Sequence, residues 1–206
     1  MPRATVAFYE RDVHDVARHL LGARISHSGV TIRVTEVEAY AGRGDPGSHG
    51  LRGPTPRTRV LFGPPGGLYV YFTYGMHWCA NLVTGPEGAG GAVLLRAGEV
   101  LDGVNVAAER RAGVKPRDWA RGPARLARCL ALTGEQNGTD TLAPDSPFVV
   151  ELGDPLDPHL IRRGPRVGVS GPGGDGTAYP WRSWIDGDPT VSLYRPGKVR
   201  ATRAVD

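Results

Sequence analysis

Cysteine is nearly absent: Cys79 and Cys129 are the only two in 206 residues. That excludes a disulfide framework and a four-cysteine zinc centre. Lysine is equally scarce, since among 25 basic residues only Lys115 and Lys198 are not arginine. No apolar run approaches the length needed to cross a bilayer, and the N-terminus has no charged-then-apolar signal pattern. The expected setting is therefore reducing and cytosolic, with no membrane partner.

What the chain has in quantity is glycine and arginine. Thirty glycines and 18 prolines accompany 22% charged and 40% hydrophobic residues, the composition of a soluble globular protein rich in turns. The length suits one sizeable domain, residues 1–206, with its own core. A formal charge of +4 and a pI near 9.3 permit an anionic partner without requiring one. Arginine presents a planar fork suited to phosphate oxygens, although genomic base composition also favours it.

Val13, Val16, Ala17, Leu20 and Leu21 recur at helical spacing, with Asp12 as N-cap and Gly22 as terminator. Ala23 to Ser28 and Val30 to Tyr40 read as a hairpin about Gly29. In its second strand, alternation places Val30, Ile32 and Val34 on one face and, continued, Glu36, Glu38 and Tyr40 on that same face. A bulge turning both glutamates to solvent is the alternative. Residues 42 to 59 form a loop long enough to be functional. Leu68 to Phe72 is a strand, and Gly75 supplies a turn with Tyr74 and Met76 at its apex. Ala92 to Arg96 is a short strand, and a helix is expected around Val104 to Arg111. Gly122-Pro123 opens another helix, Ala124 to Leu132, with Gly134 beyond its end. Phe148 to Leu152, Arg166 to Val169 and Pro189 to Tyr194 read as strands, residues 171 to 177 as a flexible loop, and the tail after about residue 198 as frayed.

Val34 to Arg96 holds most of the chemistry. A metal site on Glu36, Glu38, Asp45 and His49 is conceivable, but its spacing matches no standard zinc pattern. The glycine clusters lack a phosphate-loop lysine, and Ser48 lies in no nucleophile elbow. A glutamate acting on water beside aromatics and an arginine suits hydrolysis at an electron-poor carbon.

Thr35-Glu36-Val37-Glu38-Ala39-Tyr40, His49, Thr55-Pro56-Arg57, Leu68-Tyr69-Val70-Tyr71, Tyr74-Gly75-Met76, Asn81 and Leu94-Leu95-Arg96 resemble, in order and spacing, the signature of the alkyladenine (3-methyladenine) DNA glycosylase family. The likeness extends more weakly to the N-terminal helix, the Gly122-Pro123 helix, Arg166-Val167-Gly168-Val169 and the Pro180 to Tyr194 stretch. It implies an α+β domain with a curved, mostly antiparallel sheet, flanking helices and a protruding β-hairpin. The implied activity is monofunctional excision of alkylated or deaminated purines (3-methyladenine, hypoxanthine type) from double-stranded DNA, without cofactor or metal. A monomer in the bacterial nucleoid, or in a nucleus if the source is eukaryotic, is implied as well.

Carried over residue by residue, the resemblance makes Glu38 the general base, with Arg96 and the main chain of Val167 helping to hold the attacking water. Tyr40, His49 and Tyr71 would line the base pocket, and Asn81 would reject the exocyclic amino group of guanine. Tyr74 and Met76 would enter the duplex. Apart from the resemblance, Arg121 and Arg125 flank the N-terminus of the Gly122-Pro123 helix as a phosphate seat, and with Arg57 they are the expected backbone contacts. Glu36 is expected to support rather than catalyse. His77-Trp78 and the glycine-rich residues 171 to 177 depart from the family pattern and bear on substrate range. A non-catalytic duplex-binding module on the same fold is the competing reading. With neither lysine in the motif core, water rather than an amine is the expected nucleophile.

Overall fold

The computed structural model describes residues 1–73 and 75–197; Tyr74 and the expected frayed tail lie outside them. Two helices open the chain, α1 (Val6–Tyr9) and α2 (Val13–Leu20). They are followed by β1 (Arg24–His27), β2 (Val30–Tyr40), β3 (Leu68–Thr73), β4 (His77–Thr84) and β5 (Gly91–Asp102). Then come α3 (Val104–Arg110), α4 (Pro123–Cys129), β6 (Val149–Glu151), β7 (Ile161–Gly164) and β8 (Arg182–Ile185).

The described strands form one antiparallel sheet ordered β3-β4-β5-β2-β1-β6, with β8 pairing to β2 and β7 pairing to β8. An antiparallel sheet flanked by helices is the expected α+β class. β2 is its spine. One edge of β2 pairs along its length with β5. The other edge is shared, with β1 along Val30–Arg33 and β8 along Glu36–Glu38.

α2 forms where predicted. Asp12 caps it by accepting a 2.9 Å hydrogen bond from the His14 amide. Its buried stripe is Val13, Val16, Ala17 and Leu20, and Arg18 and His19 occupy the last turn, where cations favour the helix dipole. The stripe packs with Ile25, Val30, Ile32, Val34, Val37, Ala39, Leu68, Val70, Ala80, Leu82, Val93 and Leu95 in the main core. Removing a buried leucine such as Leu20 from a core of this kind costs about 2–5 kcal/mol.

The core residues of β2 show why alternation misled. They run Val30, Ile32, Val34 and then Val37, Ala39, so the phase slips by one residue. The register shows the cause: Val34 faces Gly98 and Glu36 faces Ala97, which leaves Thr35 as an extra residue; Val37 then faces Leu95, which leaves Arg96 extra. Paired bulges of this kind re-aim side chains. Glu36, Glu38 and Tyr40 therefore point away from the main core, contrary to the expectation of a shared apolar face. The alternative of a bulge is right, but its destination is not solvent, because both glutamates are 0% exposed.

Other elements also differ from expectation. Arg166–Val169 is a turn, with Gly168 at φ 73°, and the strand lies just before it as β7. Pro189–Tyr194 is not a strand; β8 precedes it. β5 runs well past Arg96 to Asp102, and α4 stops at Cys129. Residues 172–174 form a 3₁₀ turn in which Gly173 is buried, while Gly171, Pro172, Asp175 and Thr177 around it are exposed. Among the described residues no helix is long and apolar enough to cross a membrane.

Candidate active site

The sheet face opposite the main core carries the chemistry. Pairing sets Tyr69 opposite Asn81, Asn81 opposite Leu94, Leu94 opposite Glu38 and Glu38 opposite Arg182. A single row thus crosses β3, β4, β5, β2 and β8, each step about 4.8 Å. Tyr71 and Cys79 form the neighbouring pair. Above this face lies a cavity of about 530 Å³ bounded by Glu38, Tyr40, His49, Tyr71, Asn81, Arg96 and Val167, among others. That volume is in the usual range for a site accepting a small organic group. Six of the expected catalytic and base-pocket positions, together with Glu38, thus converge on one concavity.

Glu38 is held by three groups. The Val167 amide donates to Oε1 at 2.6 Å, Arg96 Nη1 lies 3.3 Å from the same oxygen, and the Tyr40 hydroxyl donates to Oε2 at 2.8 Å. Val167 lies in a turn, where its amide belongs to no ladder and is free to donate to the carboxylate. Burial, reinforced by the Glu38 charge, holds the Tyr40 hydroxyl well above the usual phenol range, so it remains a donor.

Glu36 has different surroundings. It accepts from Arg96 Nε at 3.0 Å, Arg182 Nε at 2.6 Å, the Ser192 amide at 2.7 Å and the Ser192 hydroxyl at 2.9 Å. Two carboxylates therefore face two guanidiniums in one buried network. Burial alone would lower the Arg96 pKa, but Glu38 and Glu36 outweigh it and push it up. Arg182 and Ser192 were not anticipated; Arg182 lies within a stretch noted only as weakly similar, and nothing local in it signals an ion pair with Glu36.

The aromatic wall is built by alternation on β3. Tyr69 and Tyr71 are two residues apart on one face, with ring centroids 5.4 Å apart and planes at 26°. His49 meets Tyr71 edge-on at 4.6 Å, and its Nδ1 lies 3.3 Å from the Tyr69 hydroxyl. His49 stands at the cavity mouth, exposed by area yet crowded by those rings. The resulting loss of water, with Arg57 near, lowers its pKa. Asn81 is buried and its amide nitrogen donates to the Tyr69 carbonyl at 3.1 Å, which fixes the side chain. Cys79 sits beside Tyr71, and burial pushes its thiol up to about 11.

The candidate metal ligands part company. Asp45 is taken up by Arg166, at 2.7 Å to each carboxylate oxygen, and Glu36 by its arginines. Among the described residues no set of three histidine, cysteine or acidic side chains is arranged to hold a metal. Arg166, unremarked in the sequence except as part of a motif, turns out to be a fully buried residue behind the site, next in the chain to Val167.

The expected DNA contacts are dispersed. Met76 is 67% exposed at the β3–β4 turn; Tyr74 falls outside the described residues. Arg57 is exposed at the rim, 5.7 Å from the Tyr71 ring centroid. Arg125 is exposed on α4. Arg121 is committed inward, to the Val191 carbonyl at 2.8 Å and to Asp118 at 3.2 Å, which leaves it less free for a phosphate. Pro123 and Ala124, at the start of α4, border the cavity.

Comparison with known proteins adds three findings. A family model described as Methylpurine-DNA glycosylase (MPG) matches residues 7–189. A Streptomyces avermitilis protein named "Putative 3-methyladenine DNA glycosylase" is 52% identical over 205 residues, covering 97% of this chain and 95% of its own. Proteins with the same name from Frankia casuarinae and Leifsonia xyli are 48% and 50% identical, covering 93% and 88% of this chain and 92% and 87% of theirs.

Proposed function

The chain belongs to the methylpurine-DNA glycosylase family, and from that premise we propose that Glu38 activates a water that releases a flipped, damaged purine from duplex DNA. The family makes this an N-glycosyl hydrolase that acts on DNA, on methylated purines of the 3-methyladenine kind. The proposal concerns how it does so and on which further lesions.

One observation carries the reading. A buried carboxylate, oriented through both oxygens, opens onto an aromatic-walled cavity beside an arginine. A purine in the stack cannot reach Glu38, so it must be extruded, at a cost of a few kcal/mol that is least for a damaged or mispaired base. Tyr40, His49 and Tyr71 then offer ring faces and edges, and stacking is worth about 1–3 kcal/mol per base. An electron-poor, alkylated ring benefits most from electron-rich neighbours. A neutral His49 suits such a ring better than an imidazolium would.

Glu38 takes a proton from water as the oxygen bonds to C1′ of the deoxyribose. The C1′–N bond breaks, and its electron pair leaves with the purine. A cationic methylated purine departs neutral, so no general acid is required. The negative charge of Glu38 faces the developing oxocarbenium ion, and the Val167 amide and Arg96, both at Oε1, orient the carboxylate that receives the water's proton. Asn81, fixed by its bond to the Tyr69 carbonyl, borders the cavity, which supports giving it the rejection of an exocyclic amino group. Met76, with Tyr74, supplies the wedge that holds the gap. The exposed arginines Arg57 and Arg125 engage phosphates, so affinity falls as salt rises. Deaminated purines such as hypoxanthine lack a ring charge, so the departing base must also gain a proton at a ring nitrogen, equivalent to the one Glu38 takes from water.

The test is Glu38→Gln, assayed on a methylated duplex and on one carrying hypoxanthine. Release of 3-methyladenine should be abolished while duplex binding persists. Full activity in that variant would remove Glu38 from the role. Duplex binding by the unaltered protein with no release of any lesion would favour the binding module instead.

A further inference from the structure

Arg166 is the largest side chain with no exposed surface among the described residues. It makes five hydrogen bonds. Nη1 and Nη2 each donate to Asp45 at 2.7 Å, Nη1 also donates to the Ala39 carbonyl at 3.2 Å, and Nε and Nη2 donate to the Gly173 carbonyl at 3.2 and 2.8 Å. Asp45 is equally occupied, since it also accepts from the amides of Ala41 and Gly47 at 3.1 and 2.8 Å. A planar fork facing a carboxylate in this way is the strongest and most directional ion-pair geometry available to a side chain. Yet the guanidinium touches neither Glu38 nor the cavity.

It acts at one remove, on both sides of the base. Its own chain neighbour, Val167, donates the amide hydrogen to Glu38 Oε1. Its guanidinium lies 4.6 Å from the centroid of the Tyr40 ring, and the Tyr40 hydroxyl donates to Oε2. Through Asp45 it is anchored to the loop that carries His49. The space around it is filled: a methyl at Gly47 would collide with Nη2, and one at Gly173 would collide with the Gly47 amide.

We infer that Arg166, locked by Asp45, is a positioning residue that sets the orientation of the Glu38 carboxylate through Val167 and Tyr40 and aligns it with the His49 wall. The inference rests on Glu38 being the general base. A one-ångström error in aiming such a group costs on the order of 100-fold in rate. A buried pair that merely holds the fold together would change stability and leave the chemical step of the folded enzyme alone.

The experiment uses the full chain in single-turnover excision of 3-methyladenine from a dimethyl-sulfate-treated duplex, with enzyme concentration varied at a temperature below every variant's melting point. Arg166→Lys, Asp45→Asn and their double variant are compared with Gly47→Ala, which keeps both charges and crowds the guanidinium. The expected result is a maximal rate lowered roughly 10- to 100-fold with half-saturation shifted by no more than about threefold. The double variant should be no slower than the worse single, because the residues act as a unit. Should Arg166→Lys fail to fold, Gly47→Ala and Asp45→Asn carry the comparison. Wild-type maximal rates in the folded variants would overturn the proposal, as would a double-variant loss equal to the product of the singles. If Glu38→Gln itself stays active, the assignment of the base has failed; if that variant is dead and these are normal, only the positioning role has failed.

Discussion

Arg96 stands between Glu36 and Glu38, with Nε 3.0 Å from an oxygen of the first and Nη1 3.3 Å from an oxygen of the second. The guanidinium thus divides two carboxylates of one strand face between two duties. Glu36 shares a second cation, Arg182, and both donors of Ser192, which leaves it little capacity for water. Glu38 borders the cavity.

Glu36→Gln should therefore destabilise more than it disables. It removes one negative charge from a buried set of two carboxylates and two guanidiniums, and breaking such a pair from one side costs about 3–5 kcal/mol. Urea unfolding should show that loss, while excision per folded molecule stays measurable. A Glu36→Gln protein as inactive as Glu38→Gln would assign Glu36 a direct role.

Stability should decline in mild acid. His14, half-buried against Trp181 with ring centroids 4.6 Å apart, has its pKa lowered chiefly by burial, as has His49. For a histidine depressed in the folded state, the unfolded chain binds protons more readily. The stabilising contribution is complete above the ordinary value near 6.5 and is lost as pH falls below it. Unfolding midpoints at pH 7.5 and 5.5 should differ, and His14→Gln should reduce the difference. An unchanged difference would remove His14 from the account.

Both thiols should be silent in the folded protein. Cys79 and Cys129 are 4% and 0% exposed, and burial pushes each up to about 11, while the thiolate is the reactive species. Ellman's reagent at pH 8 should find neither until denaturant is added, and then find both. For a thiol raised in the folded state the contribution is intact below the ordinary value of 9.0 and fades as pH climbs toward about 11. Rapid native-state labelling of Cys79 would mean that the cavity floor opens.

The β3–β4 turn should matter for binding alone. Met76 is 67% exposed, so Met76→Ala should change stability by no more than about 0.5 kcal/mol. Affinity for lesion-bearing duplex should nevertheless fall. Equal affinity at matched salt would deny the residue its part in the wedge.

Much of this was legible in the chain. Asp12 with the Val13–Leu20 stripe specified α2, Gly29 the turn into β2, and the ordered motifs both the family and the cavity-lining set. What escaped were features created by pairing between distant strands. Nothing near Thr35 announces an extra residue; the bulge is defined by the pairing of β2 with β5, a strand roughly 60 residues further along the chain. Val167-Gly168-Val169 alternates like a strand, and only Gly168, at φ 73°, and the preceding Pro165 point to a turn. Arg166 and Arg182 were invisible because a buried arginine is recognised by its partners, which here lie 121 and 146 residues away in sequence.

The bulge at Thr35 separates two kinds of tolerance to mutation. Substitution there exchanges one side chain and leaves the neighbours facing as they do. Deletion of that one residue would put Val37 and Ala39 in strict alternation with Val30, Ile32 and Val34 and keep Glu36 and Glu38 on the cavity face. Flattening the bulge with Thr35 still present would instead send both glutamates into the core. The phase of the strand, and not merely the identity of its residues, is thus what any variant that keeps both its fold and its chemistry must preserve.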